Sequence, residues 1–154
     1  MYDTEKPVSE LENQLSLHGV YATNTSGVSM RPLFKTHRDV VVIEKPKGEL
    51  KKYDVVLYKA LNEEKFILHR IIGVREDHYI IRGDNTFLKE YVKKDRIVGV
   101  LTSFNRKGKR HSVDETGYKL YSRFWNFIYP VRWCIKKARS LMGRIYRKLF
   151  SKKR

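Results

Sequence analysis

Ser29 lies in the segment TSGVSMRPLF (residues 25–34), where a serine could act as a nucleophile. A hydroxyl is a poor nucleophile until a general base removes its proton, and it must be held on an exposed, rigid turn. Gly27 permits a tight turn before the serine, and Pro32 stiffens the chain after it. Serines are also common in ordinary polar turns, and Ser29 taken alone fits that role better.

His69 is the residue best suited to serve as that base, because it lies in the apolar, strand-like segment FILHRIIGV (66–74). A neutral imidazole held on a strand suits general-base catalysis. The alternative is a core histidine bonded to the backbone, since a buried polar group needs a partner. Asp84 follows the next strand-like run, in IIRGDNT. Its carboxylate could orient an imidazole, or belong to a simple Gly-Asp-Asn turn.

The surrounding pattern predicts the elements that hold these residues. A helix is predicted over VSELENQLSLHG (8–19), with Val8, Leu11 and Leu15 on one face and Gly19 as its end. Short β-branched and aromatic runs predict five or more strands of a small, mostly antiparallel sheet or barrel, at 39–45, 53–60, 65–74, 78–84 and 95–104. From about residue 116, the pattern predicts two helices broken by Pro130.

Length and composition indicate one folded domain, because the chain has 154 residues of which 41% are hydrophobic. The single cysteine, Cys134, excludes an intramolecular disulfide and a cysteine-based zinc site. We predict no metal and no cofactor. No apolar stretch reaches the roughly 18 residues of a spanning helix, and the acidic N-terminus lacks the pattern of a signal peptide. We therefore expect a soluble or peripheral protein.

Four sequence blocks, in order, resemble those of the type I signal peptidase superfamily, which also includes the self-cleaving SOS repressors. SGVSMRPLF resembles the nucleophile box, and RDVVVIEKP with KKYDVVLYK resembles the two strands that follow it. ILHRIIGV resembles the general-base box, and YIIRGDNT the Gly-Asp-Asn box, after which RIVGVL is similar to a closing strand. The resemblance covers about residues 23–103. It implies a mainly β fold, a coiled sheet or partial barrel.

The resemblance also implies a catalytic site. Ser29 would be the nucleophile and His69 the general base, as in the endoplasmic-reticulum, archaeal and sporulating-bacterium branch, whereas other branches have lysine. Asp84 would be the third member. The backbone N–H of Ser29 and the hydroxyl of Ser26 would stabilise an oxyanion. Within the same box, Met30 and Pro32 would contact substrate.

Two features depart from the family pattern. The family usually has a transmembrane anchor just before the nucleophile box, where this chain has an acidic segment with helical spacing. Tyr53 stands where the family usually has a glycine before Asp54. The first departure bears on the cellular location, and neither changes the residues of the predicted site.

The C-terminal part of the chain is strongly basic. Residues 118–154 contain 12 Lys and Arg and no Asp or Glu, whereas residues 1–117 contain 21 and 17. Apolar residues recur every three or four positions among the cations, which is typical of an amphipathic helix on an anionic membrane. Helices packed on the sheet are the alternative, and nucleic acid ranks lower because no recognition motif is present. The predicted membrane-surface residues are Trp133, Lys136, Lys137, Arg139, Arg144, Arg147 and Lys148.

These observations predict a helical lead-in (1–20), a catalytic β-domain (21–105) and a basic helical tail (106–154). We expect a serine endopeptidase that cleaves a leader or precursor peptide after small residues. It would be cytoplasmic and peripheral on the inner face of a bacterial membrane. Two alternatives remain open: a non-cleaving module that binds peptides or lipids, and a nucleic-acid-associated, self-cleaving regulator.

Overall fold

The computed structural model describes residues 8–61 and 65–150, with side chains for residues 10–61 and 65–147. The chain begins with helix α1 (Val8–His18) and ends with helices α2 (Thr116–Phe127) and α3 (Tyr129–Phe150). Eight strands lie between them: β1 (Val20–Asn24), β2 (Val40–Glu44), β3 (Val55–Lys59), β4 (Phe66–Val74), β5 (His78–Arg82), β6 (Glu90–Lys93), β7 (Ile97–Arg106) and β8 (Lys109–Ser112).

The strands form one antiparallel sheet in the order β1-β2-β7-β3-β4-β5-β6, and β8 also pairs with β7. Among the described strands, β1 and β6 stand at opposite ends of this order and do not pair, so the sheet is open. The predicted fold class is confirmed: a mainly β protein with a short N-terminal helix and two C-terminal helices.

The sheet buries apolar residues on both faces. Along β2, Val41 and Ile43 are buried while their neighbours are partly exposed, which is the two-residue alternation of a strand. Leu11 and Leu15 of α1 join the core on that side, and Val8 of the predicted face lies outside the described side chains. Val56, Tyr58, Ile71, Tyr79, Ile81 and Val92 form the second cluster. Strands β3 and β4 contribute residues to both clusters, and β4 also carries His69.

Element boundaries agree with the predicted ones to within a few residues. All five predicted strands are present, and β1, β6 and β8 are additional to them. Strand β8 lies beyond residue 105, so the sheet continues into the segment predicted as tail. Gly19 ends α1 with a φ of 69°, and its N–H donates to the Leu15 carbonyl at 3.1 Å. Pro130 lies in the first turn of α3, where a missing N–H costs nothing, and the break falls at Ile128.

Tyr53 occupies a backbone conformation that favours glycine. Its φ is 84°, in the left-handed region that side chains with a Cβ rarely adopt. The Tyr53 N–H donates to the Ile71 carbonyl at 2.8 Å, and the Tyr53 carbonyl accepts from Arg70 at 2.9 Å. These bonds hold the residue in place, and the positive φ is one that glycine, expected at this position from the resemblance, adopts without strain.

None of the described helices combines the length and the apolar character needed to cross a membrane.

Candidate active site

Ser29 lies on the long connection between β1 and β2, which a buried aspartate holds in shape. The N–H of Lys35 donates to the Asp39 carboxylate at 2.8 Å, and Arg38 donates to both of its oxygens at 2.6 and 2.7 Å. The N–H of Thr25 donates to the Asp39 carbonyl at 3.1 Å. The connection is therefore closed at its base, and Ser29 is presented from a fixed loop.

The turn that carries Ser29 is hydrogen-bonded to a second turn, residues 83–86, that follows β5. Gly27 has a φ of 77°, which a glycine adopts without strain, and Ser29 itself is half-buried. The N–H of Asn85 donates to the Ser29 carbonyl at 2.7 Å, and the Asn85 side chain donates to the Val28 carbonyl at 3.2 Å. The Gly-Asp-Asn turn thus holds the Ser29 loop in position by hydrogen bonds.

Gly83 is the point at which Ser29 and His69 meet. A Cβ built on Gly83 would lie 2.7 Å from the Ser29 carbonyl oxygen and 2.9 Å from Nε2 of His69. Real Cβ atoms do not make contacts this short with backbone or ring atoms, so the position requires glycine. The serine loop and the Nε2 edge of the imidazole therefore approach the same small space, although they are 40 residues apart in sequence.

His69 is buried on β4, and its other ring nitrogen is bonded to Glu90. Nδ1 lies 2.9 Å from Oε1 of Glu90 and 3.2 Å from the hydroxyl of Tyr58, which donates to Oε2 of Glu90 at 2.7 Å. A carboxylate can only accept, so this network assigns the proton to Nδ1. Nε2 is left as an acceptor on the side of Ser29, as general-base catalysis requires.

Electrostatics keep this imidazole neutral. Burial lowers the pKa of His69 below its ordinary value of 6.5, and this effect outweighs the charge and hydrogen bond of Glu90, which raise it. Burial and the neighbouring Glu90 also raise the pKa of Tyr58, so the phenol remains a neutral donor. At neutral pH the site therefore holds an unprotonated base beside a carboxylate that stabilises the imidazolium when it forms.

No protein-family model and no curated protein matches this chain. The family resemblance of the four sequence blocks therefore stays a prediction, and the chemistry of the site follows from its geometry.

Asp84 does not lie where the resemblance implies. Its carboxylate accepts from Nε and Nη2 of Arg70 at 2.8 and 2.9 Å and from the Tyr121 hydroxyl at 3.0 Å. The Arg70 and Asp84 side chains are only 0% and 2% exposed. His69 and Arg70 are adjacent on β4, and successive strand side chains point to opposite faces, so a partner of Arg70 lies across the sheet from the imidazole. The contact expected of Asp84 is made by Glu90.

The Arg70–Asp84 pair serves to dock α2. Arg70 also donates to Ser122 at 2.8 Å, and Nε1 of Trp125 donates to the Asp84 carbonyl at 2.8 Å. Phe124 and Phe127 of the same helix are exposed. The face of α2 that packs on the sheet is thus polar and aromatic: Tyr118, Tyr121, Ser122, Trp125 and Asn126.

A groove of about 370 Å³ opens beside Ser29. One wall is β1 with residues 25–27, and the other is residues 65–68 at the start of β4. Met30 lies on its apolar floor, with Phe34, Val41, Ile43 and Leu57. Pro32 is exposed and is not among the residues that line the groove.

Two strand edges along this groove are unpaired within the described residues. β1 ends the sheet, and residues 66–69 of β4 pair with β3 but not with β5. Ser26 is exposed at the groove, and no acceptor for the Ser29 N–H is found among the described residues. The groove can therefore exchange backbone hydrogen bonds with an extended chain.

Sequence reasoning missed Glu90 and Tyr58. For Tyr58 the sequence held a signal, because its strand and that of His69 are consecutive along the chain. Pairing of β3 with β4 sets Val56 opposite His69, which puts Tyr58 on the same face two residues away. Glu90 carried none, since it reaches the imidazole only through the pairing of β5 with β6. Among the described side chains, no three His, Cys, Asp or Glu residues are grouped to hold a metal ion.

Proposed function

We propose that this protein is a serine endopeptidase of the signal-peptidase type, with Ser29 as nucleophile, His69 as general base and Glu90 as the residue that orients the base. One observation carries the proposal. The Ser29 loop and Nε2 of His69 converge on Gly83, while Nδ1 of the same imidazole is bonded to Glu90. A histidine that only filled the core would not require a glycine between its Nε2 atom and a serine loop.

The reaction follows the Ser-His-carboxylate scheme. The Ser29 hydroxyl attacks the carbonyl carbon of the scissile peptide while its proton passes to Nε2 of His69. The Ser29 N–H and the Ser26 hydroxyl stabilise the tetrahedral oxyanion. The imidazolium then gives its proton to the departing amine, leaving an acyl-enzyme. Water, deprotonated by the same imidazole, releases the acid and regenerates the serine.

The substrate in this proposal is an extended peptide segment. The unpaired edges of β1 and of the first half of β4 support it, because a strand added between them would be held by main-chain hydrogen bonds. The apolar floor of the groove would receive alternate side chains. By resemblance to the family, cleavage would follow a small residue in a leader or precursor peptide.

The proposal also locates the enzyme in the cytoplasm, peripheral to the inner face of the membrane. The basic C-terminal segment supports this location, because the cytoplasmic leaflet carries the negative surface potential that attracts Lys and Arg.

A competing function is a module that binds peptides without cutting them, which the groove with its two open strand edges equally favours. A single experiment separates the two. The full-length protein is incubated with a library of extended peptides, and products are identified by mass spectrometry. Ser29→Ala is the test variant, and Ser16→Ala, at an exposed site on α1, is the matched control.

We expect cleavage by wild type and by Ser16→Ala, and none by Ser29→Ala. Peptides that bind to both wild type and Ser29→Ala without being cut by either would favour the binding module and overturn the peptidase proposal.

A further inference from the structure

Exposed apolar side chains are concentrated at the C-terminal end of the chain. Of the 17 large hydrophobic side chains that are exposed in the described residues, ten lie between Leu120 and Tyr146. Every residue from 133 to 147 is exposed, so this part of α3 is not packed into the core of the domain. A contiguous exposed apolar surface of this kind marks an interaction site.

Helix α3 has two sharply divided faces. At about 100° per residue, one sector of roughly 140° holds only apolar or weakly polar side chains. We call this sector the docking face: Val131, Cys134, Ile135, Ala138, Leu141, Met142, Ile145 and Tyr146. The rest of the helix surface carries Arg132, Lys136, Lys137, Arg139, Arg144 and Arg147, with no acid. Lys148 and Leu149 lie outside the described side chains.

The cationic side of α3, not the docking face, is turned towards the domain. Arg132 donates to the Asp84 carbonyl at 2.7 Å and stacks 3.8 Å from the ring centre of Trp125. One turn later, Nζ of Lys136 lies 4.2 Å from the ring centre of Phe87. A helix that covered its own core would show the opposite orientation. The docking face therefore points away from the catalytic domain.

We propose that α3 lies flat on an anionic lipid bilayer, with the docking face among the acyl chains and the cations that flank this face at the phosphates. An apolar sector flanked by Lys and Arg, without acids, matches both the apolar and the charged layer of such a surface. This inference does not depend on peptidase activity, because it rests on α3 alone. The contact between Arg132 and Asp84 would hold the groove at a fixed distance from the membrane.

Trp133 does not belong to this interface. It lies about 150° around the helix from the centre of the docking face, among the cations, where Nζ of Lys137 sits 4.6 Å from its ring centre. Trp133 was predicted among the membrane-surface residues, and with the docking face in the acyl chains it would lie on the side of α3 that is turned away from the bilayer. Arg139 flanks the docking face at about 90° from its centre, whereas Arg147 lies nearly opposite, at about 170°.

The different positions of Arg139 and Arg147 around α3 distinguish binding to a membrane from binding to a nucleic acid. On a bilayer, cations beside the apolar sector reach the phosphates, while those on the far side do not. A nucleic acid would contact the cationic side and would not need the docking face. A second copy of the chain would need the docking face but would respond little to salt.

The test is co-sedimentation of the full-length protein with vesicles of phosphatidylglycerol or of phosphatidylcholine. We expect binding to phosphatidylglycerol vesicles only, with release at about 1 M NaCl, where the Debye length is about 3 Å. Replacing Ile135 and Met142 together by serine should weaken binding on the order of 100-fold. Both residues are exposed, so thermal unfolding should be unchanged.

Matched charge reversals give the second readout. Arg139→Glu should weaken vesicle binding roughly fivefold or more, and Arg147→Glu less than twofold, although both change the charge equally. Absence of vesicle binding would overturn the proposal. So would equal effects of the two reversals with no effect of the serine variant, which would indicate a nucleic acid. A wild-type protein that is dimeric in light scattering, while the serine variant is monomeric, would assign the docking face to a second copy instead.

Discussion

Nδ1 of His69 lies 2.9 Å from Oε1 of Glu90, a residue 21 positions further along the chain and two strands away in the sheet. The Tyr58 hydroxyl closes this arrangement by donating to the other Glu90 oxygen. Because Nδ1 is occupied, the lone pair of the imidazole is directed from Nε2, on the side of Gly83 and Ser29. The pair therefore sets both the tautomer and the direction of the base.

The first prediction concerns Glu90→Gln, which keeps the size of the side chain and removes its charge. Catalysis needs the neutral imidazole, so activity falls as pH drops through the His69 pKa. In wild type this acidic limb of the pH–rate profile should lie below pH 6.5. Glu90 raises that pKa, so its neutralisation should move the limb to still lower pH. The value of kcat should fall on the order of 10²- to 10⁴-fold, because the imidazolium loses its stabilising charge.

A pH–rate profile measures both effects, with the exposed Glu49→Gln as control. An acidic limb that stayed in place, or moved upward, would show that Glu90 does not act on the base.

The second prediction concerns the Arg70–Asp84 pair, whose side chains are buried. Asp84→Asn should lower the free energy of unfolding by about 3–5 kcal/mol, because it leaves the Arg70 charge without its counter-ion. Asp114→Asn removes an exposed partner of Lys119 and should cost less than about 1 kcal/mol. Urea unfolding compares the two. If Asp84→Asn were as stable as wild type yet lost activity as Glu90→Gln does, Asp84 would be a catalytic rather than a docking residue.

The third prediction concerns Gly83. A methyl group at this position would press on the Ser29 carbonyl and the His69 ring, so Gly83→Ala should separate nucleophile and base. Displacements of about 1 Å can cost on the order of 100-fold in rate, and we expect a loss of at least that size. Gly48→Ala, where the added carbon meets nothing within 4 Å, should be close to wild type in the same cleavage assay. Full activity in Gly83→Ala would mean that the two loops are not held together as described.

The fourth prediction concerns the left-handed conformation of Tyr53. Glycine adopts it without strain, whereas alanine retains the steric cost of a Cβ, about 1–2 kcal/mol. Since both variants lack the tyrosine ring, their comparison isolates the backbone. After the greater flexibility of unfolded glycine is subtracted, Tyr53→Gly should be more stable than Tyr53→Ala by about 1 kcal/mol in urea unfolding. Equal stabilities would rule out backbone strain at this residue.

Residue types and spacing were sufficient to predict five of the eight strands and to single out Ser29 and His69 as candidates, because each lies within a recognisable run of about ten consecutive residues. They were not sufficient to assign the carboxylate. Asp84 and Glu90 are both acids near a strand end, and only the pairing of β4, β5 and β6 decides which one meets the imidazole. The orientation of α3 could not be predicted for a similar reason. Periodicity defines the faces of the helix, but only the contacts of Arg132 and Lys136 show which face is turned towards the domain.

The central claim is that Ser29 and His69 act as one catalytic unit. It is tested most directly by the cleavage rate of one peptide from the library, measured for Ser29→Ala, His69→Ala and the double variant. Each single change should reduce kcat on the order of 10⁴- to 10⁶-fold, and the double variant should be scarcely worse than either, because removing one partner already disables the other. The exposed controls Ser16→Ala and His18→Ala should cleave normally. Near-normal cleavage by either Ser29→Ala or His69→Ala, or additive losses in the double variant, would contradict the account.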